Sequence, residues 1–214
     1  MIAAIADASA PPVSGFVEST FSPLVYDAIR QCLAESPGEG DGARTALVLA
    51  STMGDAGTLD LGSRRLVAGK VSNPLLFMQS TPNAILGRLS IDFAISGPLV
   101  ALSPLADLAA DLLDTADVLL ADGEVDRVVL VGVELAGTER TSAAHRELGT
   151  GPPSADLAVA IVLDRGDQVP VVQPASPASS VPPTACRSTA CQSTEHGSLR
   201  GMVEAAARIR GASA

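Results

Sequence analysis

Asn73–Ala106 reads NPLLFMQSTPNAILGRLSIDFAISGPLVALSPLA. The order of signals in this stretch is specific: an Asn-Pro turn, an amphipathic segment, a Gly-Pro turn, a short aliphatic run and the opening of a further helix. A helix is predicted over Gln79–Leu89, where Pro82 is tolerated because it falls in the first turn. Gly87 inside that helix predicts close approach by a neighbour. After Gly97-Pro98, Leu99–Leu102 reads as a short buried strand. Ser103 followed by Pro104 has the form of a helix cap and a first-turn proline. The helix they predict runs to about Ala121. Leucines and alanines occupy a broad face of it, with Asp107, Asp111, Asp114 and Asp117 as a solvated remainder.

Around this stretch, aliphatic runs alternate with helical patterns. Ile2–Ala6, Arg44–Ser51, Asp126–Leu135 and Ala155–Asp164 read as strands, and Asp126–Leu135 is so continuously aliphatic that it should be central. Ser22–Glu35, with Ser22 as cap, and Leu59–Ala68 read as helices. Gly137–Pro153 reads as a polar loop whose His145 is solvated. The pattern predicts an α/β domain over residues 1–165, with a mostly parallel five-stranded sheet and helices on both faces. Residues 166–197 are rich in Pro, Ser, Thr and Ala and read as a linker or arm. Residues 198–214 contain a terminal helix, Leu199–Ile209, that docks on the body or on a partner.

Composition narrows the functions. Aromatics are 2% of the chain, so the core must be built from small and branched aliphatics that allow close helix–sheet packing. A formal net charge of -10 repels phosphate backbones and anionic lipid, which argues against nucleic acid and membrane surfaces as partners. Three cysteines, Cys32, Cys186 and Cys191, make neither a disulfide framework nor a zinc site, and no other metal or cofactor is indicated. The N-terminus lacks a basic leader, and no apolar run reaches the roughly 20 residues of a membrane helix. A cytoplasmic location is expected.

The spacing Pro82-Asn83-x-x-x-Gly87-x-Leu89-Ser90-Ile91-x-Phe93-x-Ile95-x-Gly97-Pro98 resembles the segment that leads to the nucleophilic cysteine of β-ketoacyl synthases. Arg127–Glu134 resembles the next strand of that family, and Ala155–Leu163 the strand that closes its first half. The resemblance spans about Ala46 to Arg165. It implies half of a thiolase-like fold. Counting on from Gly97-Pro98, the nucleophile position falls on Ala106, which bears no thiol. The family's two histidine motifs, carried by its second half, have no counterpart after Arg165.

The resemblance therefore implies a subunit that does not condense anything by itself. It matches the chain length factor of type II polyketide or polyene systems, paired with an active β-ketoacyl synthase. In that reading Leu99, Val100, Ala101 and Leu102 form the interface strand. Phe77, Met78, Thr81 and Ile85 line or gate the acyl tunnel, although the apolar members suit a plain core equally well. The acyl carrier protein would dock on the partner. Two alternatives remain: a half-thiolase acyltransferase using Cys191 or Cys32, and a homodimeric acyl-binding scaffold. Ser188–Thr194, STACQST, looks like a nucleophile motif in isolation, but no buried strand precedes it and no helix follows.

Overall fold

The computed structural model describes the chain apart from residues 37–41, 71, 72, 74, 152, 168, 169, 171–195, 213 and 214. Five strands, β1 (Ile2–Asp7), β2 (Thr45–Ala50), β3 (Leu99–Leu102), β4 (Arg127–Glu134) and β5 (Leu157–Asp164), form one sheet in the order β1-β5-β4-β2-β3. β2 pairs in parallel with β3 (Leu47 opposite Leu99) and with β4 (Leu47 opposite Val129). β5 pairs antiparallel with both β4 and β1. Four strands thus point one way and β5 alone is reversed, so the mostly parallel sheet is present with one exception. The exception has a local cause. The chain leaves β4 at Glu134 and enters β5 at Leu157, beside it in register, so the intervening residues stay at one end of the sheet and never cross a face.

Helices α1 (Phe21–Ala34) and α4 (Pro82–Asp92) cover one face, and α5 (Leu108–Ala121) and α7 (Arg200–Ala212) the other. Alternate strand residues serve the two sides. Leu47, Leu49, Val129 and Val131 join Leu24, Ile29, Ile85 and Leu89 under α1 and α4. Val48, Leu130 and Ile161 join Leu112, Leu199 and Met202 under α5 and α7. Coverage on both sides is why β4 and β5 read as unbroken aliphatic runs. The terminal helix docks on the body, with Met202, Ala205, Ala206 and Ile209 buried. At Gly132 in β4 an added Cβ would lie 2.7 Å from Leu199 Cδ2 and 2.9 Å from Leu108 Cδ2, so the absence of a side chain there lets both elements close on the strand.

Three further α-helices occur among the described residues: α2 (Ala56–Val67), α3 (Leu76–Gln79) and α6 (Glu139–Glu147). Several expectations need correction. The first helix is not capped by Ser22; the Ser19 hydroxyl accepts from Ser22 N–H at 2.9 Å and donates to Asp55 Oδ2 at 2.6 Å. Asp55 also caps α2 through Thr58 N–H, which moves the start of that helix to Ala56. The helix predicted from Gln79 is two pieces, because Pro82 sits at the first position of α4 and holds Thr81 extended. Gly87 has nothing within 4 Å of its would-be Cβ, so it marks no close packing. Gly137–Pro153 is not only loop, for α6 lies within it, capped by Thr138, whose hydroxyl accepts from Thr141 N–H at 3.0 Å.

Candidate functional site

β3 is an edge strand, not a buried one. Pro98 O and Leu102 O accept from Leu47 N–H (2.9 Å) and Ser51 N–H (3.2 Å), so alternate backbone groups face β2. The intervening N–H and C=O groups of Leu99 and Ala101 point outward, and the side chains of both residues are exposed. Val100 and Leu102 lean partly buried against the α5 side of the sheet. Gly97 sets the strand in place: its N–H donates to Gly42 O at 3.1 Å, and a Cβ there would meet Thr45 O at 2.3 Å. The four predicted interface residues therefore form the marginal strand of the sheet, and among the described residues no strand pairs with the outward groups of Leu99 and Ala101.

The turn after β3 carries Ala106. It is exposed and lies two residues before the first residue of α5. Ser103 does not cap the helix, because its hydroxyl donates to Thr52 O at 3.1 Å and ties the end of β3 to the end of β2. Asp107 is the cap, its Oδ1 accepting from Ala109 and Ala110 N–H at 3.1 Å each. Amides at a helix start are where a thiolate is stabilised. Here a carboxylate already occupies them and the neighbouring side chain is a methyl.

Of the proposed tunnel residues, Phe77 and Met78 on α3 are 70% and 64% exposed. Thr81 is exposed at the break between α3 and α4, its hydroxyl donating to Met78 O at 2.8 Å. Ile85 is fully enclosed among Leu86, Leu89 and the α1 side of the core, and in this chain its side chain packs as core. Phe77 also borders an apolar pocket of about 190 Å³ with Leu59, Leu66 and Leu76, rimmed by Arg65 and Lys70.

The C-terminal ends of β2, β3 and β4 meet at a polar cluster that the sequence reading missed. His145 is not solvated: it is fully buried, as is Glu134. Their Nε2 and Oε2 atoms are 3.5 Å apart. Glu134 Oε1 accepts from Thr52 N–H at 2.7 Å, and His145 Nδ1 lies 2.9 Å from Thr150 Oγ1. A lone charge closing the otherwise aliphatic run of β4 was the available signal, since such a group needs a partner inside. Cys32 is buried on α1, its thiol donating to Ile2 O at 3.3 Å, and burial pushes the thiol up to about 12. Cys186, Cys191 and the Ser188–Thr194 motif lie outside the described residues. Among the described residues no group of His, Cys, Asp and Glu could hold a metal, and no helix is long and apolar enough to cross a membrane.

The fold is a thiolase-like α/β half of the kind seen in ketosynthases, with β3 at the edge of its sheet and the turn that carries Ala106 directly after it. Solved structures with this fold include the ketosynthase in complex with its chain length factor from Xenorhabdus doucetiae (TM-score 0.55, 24% identity, 69% of this chain and 58% of that one). The ishigamide ketosynthase/chain length factor matches with TM-score 0.55 and 17% identity over 68% of this chain and 43% of that one. A type II polyketide synthase acyl-carrier protein in complex with its ketosynthase bound to the hexaketide matches with TM-score 0.57 and 16% identity over 69% and 46%. The chain thus spans about half the length of these relatives. No protein-family model matches the sequence, and none of the curated proteins does.

Proposed function

We propose that the chain is a non-catalytic, chain-length-factor-like subunit that pairs with an active β-ketoacyl synthase and shapes its acyl tunnel in type II polyketide or polyene-like biosynthesis. The observation that carries the reading is the outer edge of β3, where the backbone groups of Leu99 and Ala101 face outward in a ketosynthase-like half-fold. An unpaired strand edge is a template for another strand, and one this apolar calls for a partner. Condensation needs a thiolate to carry the acyl chain and donors for the oxyanion. Ala106 supplies no thiolate, and Asp107 fills the helix-start amides. Phe77 and Met78 are bulky, adaptable and exposed beside the stretch that leads to β3, and they are the residues assigned to the tunnel wall. The carrier protein would dock on the ketosynthase.

The test is product length. Co-expressed with an active type II β-ketoacyl synthase and a carrier protein, the wild-type chain should fix a narrow product distribution. Phe77→Ala with Met78→Ala should lengthen or broaden it. An unchanged distribution with and without the chain would refute the role.

The half-thiolase acyltransferase on Cys32 is disfavoured, because a buried thiol held near 12 forms almost no thiolate at neutral pH.

A further inference from the structure

The free edge of β3 has an acidic flank. α5 packs on β4 and β2, and between it and the end of β3 runs an open groove of about 460 Å³. Leu102, Pro104 and Leu119 contribute its apolar surface; Asp111, Asp114, Thr115 and Val118 line it from α5. Val118 is 70% exposed, and Leu105, in the turn that leads into α5, is similarly open. Asp111 and Asp114 make no ion pair among the described residues. No Lys, Arg or His occurs anywhere on α5.

We propose that this groove is a charge filter on the β3 edge: it admits a partner whose own edge strand is flanked by Arg or Lys, and it rejects a second copy of this chain. The inference rests on the strand pairing proposed above. A twofold self-pairing is isologous, so the same patch meets itself. Closing β3 on β3 of a second copy would bring both Asp111–Asp114 sets into one shrinking space, with no cation from α5 to separate them. Like charges brought together as water leaves are strongly unfavourable, whereas opposite charges there fix partner and register. Without such a device the apolar rim of Leu99, Leu105 and Val118 would favour self-association. Placing the charge on the flank, and not on the strand, keeps the edge open for the right partner while excluding the wrong one.

Sedimentation analysis of the chain without any ketosynthase tests this. Asp111→Asn/Asp114→Asn should self-associate at least about tenfold more tightly than wild type, because two opposed carboxylate pairs are removed. Wild type mixed with Asp111→Lys/Asp114→Lys should form a one-to-one pair, the lysines standing in for the cationic partner. Ala101→Pro, which removes an outward N–H from β3, should abolish both associations. Equal self-association of wild type and the Asn variant, at any strength, would overturn the filter. So would failure of the wild-type/Lys mixture to pair, or pairing that survives Ala101→Pro. If the Asn variant pairs through β3 while no ketosynthase binds the wild type, the filter stands and the ketosynthase reading falls. If a ketosynthase binds and the aspartates have no effect, the reverse holds.

Discussion

Glu134 Oε2 and His145 Nε2 face each other at 3.5 Å with neither side chain exposed to solvent. Glu134 Oε1 accepts from Thr52 N–H, and Thr52 O in turn receives the Ser103 hydroxyl, so the end of β4 is linked by hydrogen bonds to the end of the edge strand, with His145 of α6 packed against the carboxylate. His145→Leu would leave the carboxylate buried with only the Thr52 amide. Taking away the polar group that faces a buried acceptor costs roughly 1–3 kcal/mol. Urea unfolding should show a loss of about that size. Glu134→Gln/His145→Leu should lose less than His145→Leu alone, because a neutral amide still accepts from Thr52. Wild-type stability in His145→Leu would mean that the pair contributes nothing.

Legibility in the sequence followed physical scale. The sheet and its main helices were readable because strands covered on both faces must be continuously aliphatic, and Leu47–Leu49, Val128–Val131 and Ala158–Leu163 are. The position of β3 in the sheet was not readable. A four-residue aliphatic run reads the same at an edge as in the centre, and only the order β1-β5-β4-β2-β3 exposes it. The cap of α5 is Asp107 and not the expected Ser103, because a tertiary contact with Thr52, which local spacing does not show, takes up the Ser103 hydroxyl. His145 was misread because a charged helix at the end of a sheet looks like loop until the buried Glu134 is placed opposite it.

Cys32 should resist alkylation in the folded chain. Its thiol is enclosed on α1 and burial pushes it up to about 12, so the reactive thiolate is scarce. Intact-mass labelling followed by peptide mapping should find Cys32 unmodified in buffer and modified once denaturant is added. Rapid native labelling at Cys32 would show that this part of the core opens readily.

Gly97→Ala should weaken the seat of β3. The added methyl would fall 2.3 Å from Thr45 O, a backbone atom with little room to yield. Overpacking of this kind costs about 1–3 kcal/mol. Calorimetry should show a lower Tm, and hydrogen exchange should show loss of protection at Leu47 and Ser51, whose N–H groups donate to Pro98 and Leu102. Unchanged exchange at both amides would contradict the tight fit.

Asp126 makes stability depend on pH in a defined direction. A hydrogen bond from Arg44, reinforced by the charges of Arg44 and Arg165, holds its carboxyl below the ordinary Asp value of about 3.9. A carboxyl depressed on folding contributes stability that is complete above its unfolded value and is lost as pH falls through the folded one. Asp126→Asn should therefore be less stable than wild type at neutral pH, with the gap closing only in acid below the ordinary carboxylate range. A gap that closes near pH 6 would assign the effect to another group.

The outward backbone of β3 is tested most directly by light scattering on the chain co-expressed with an active type II β-ketoacyl synthase. Wild type should elute as a one-to-one heterodimer, and Ala101→Pro, which keeps the bonds to β2 but removes an outward N–H, should elute as separate chains with an unchanged circular dichroism spectrum. A wild-type chain that elutes alone, or an Ala101→Pro chain that still binds as wild type does, would contradict pairing through this edge.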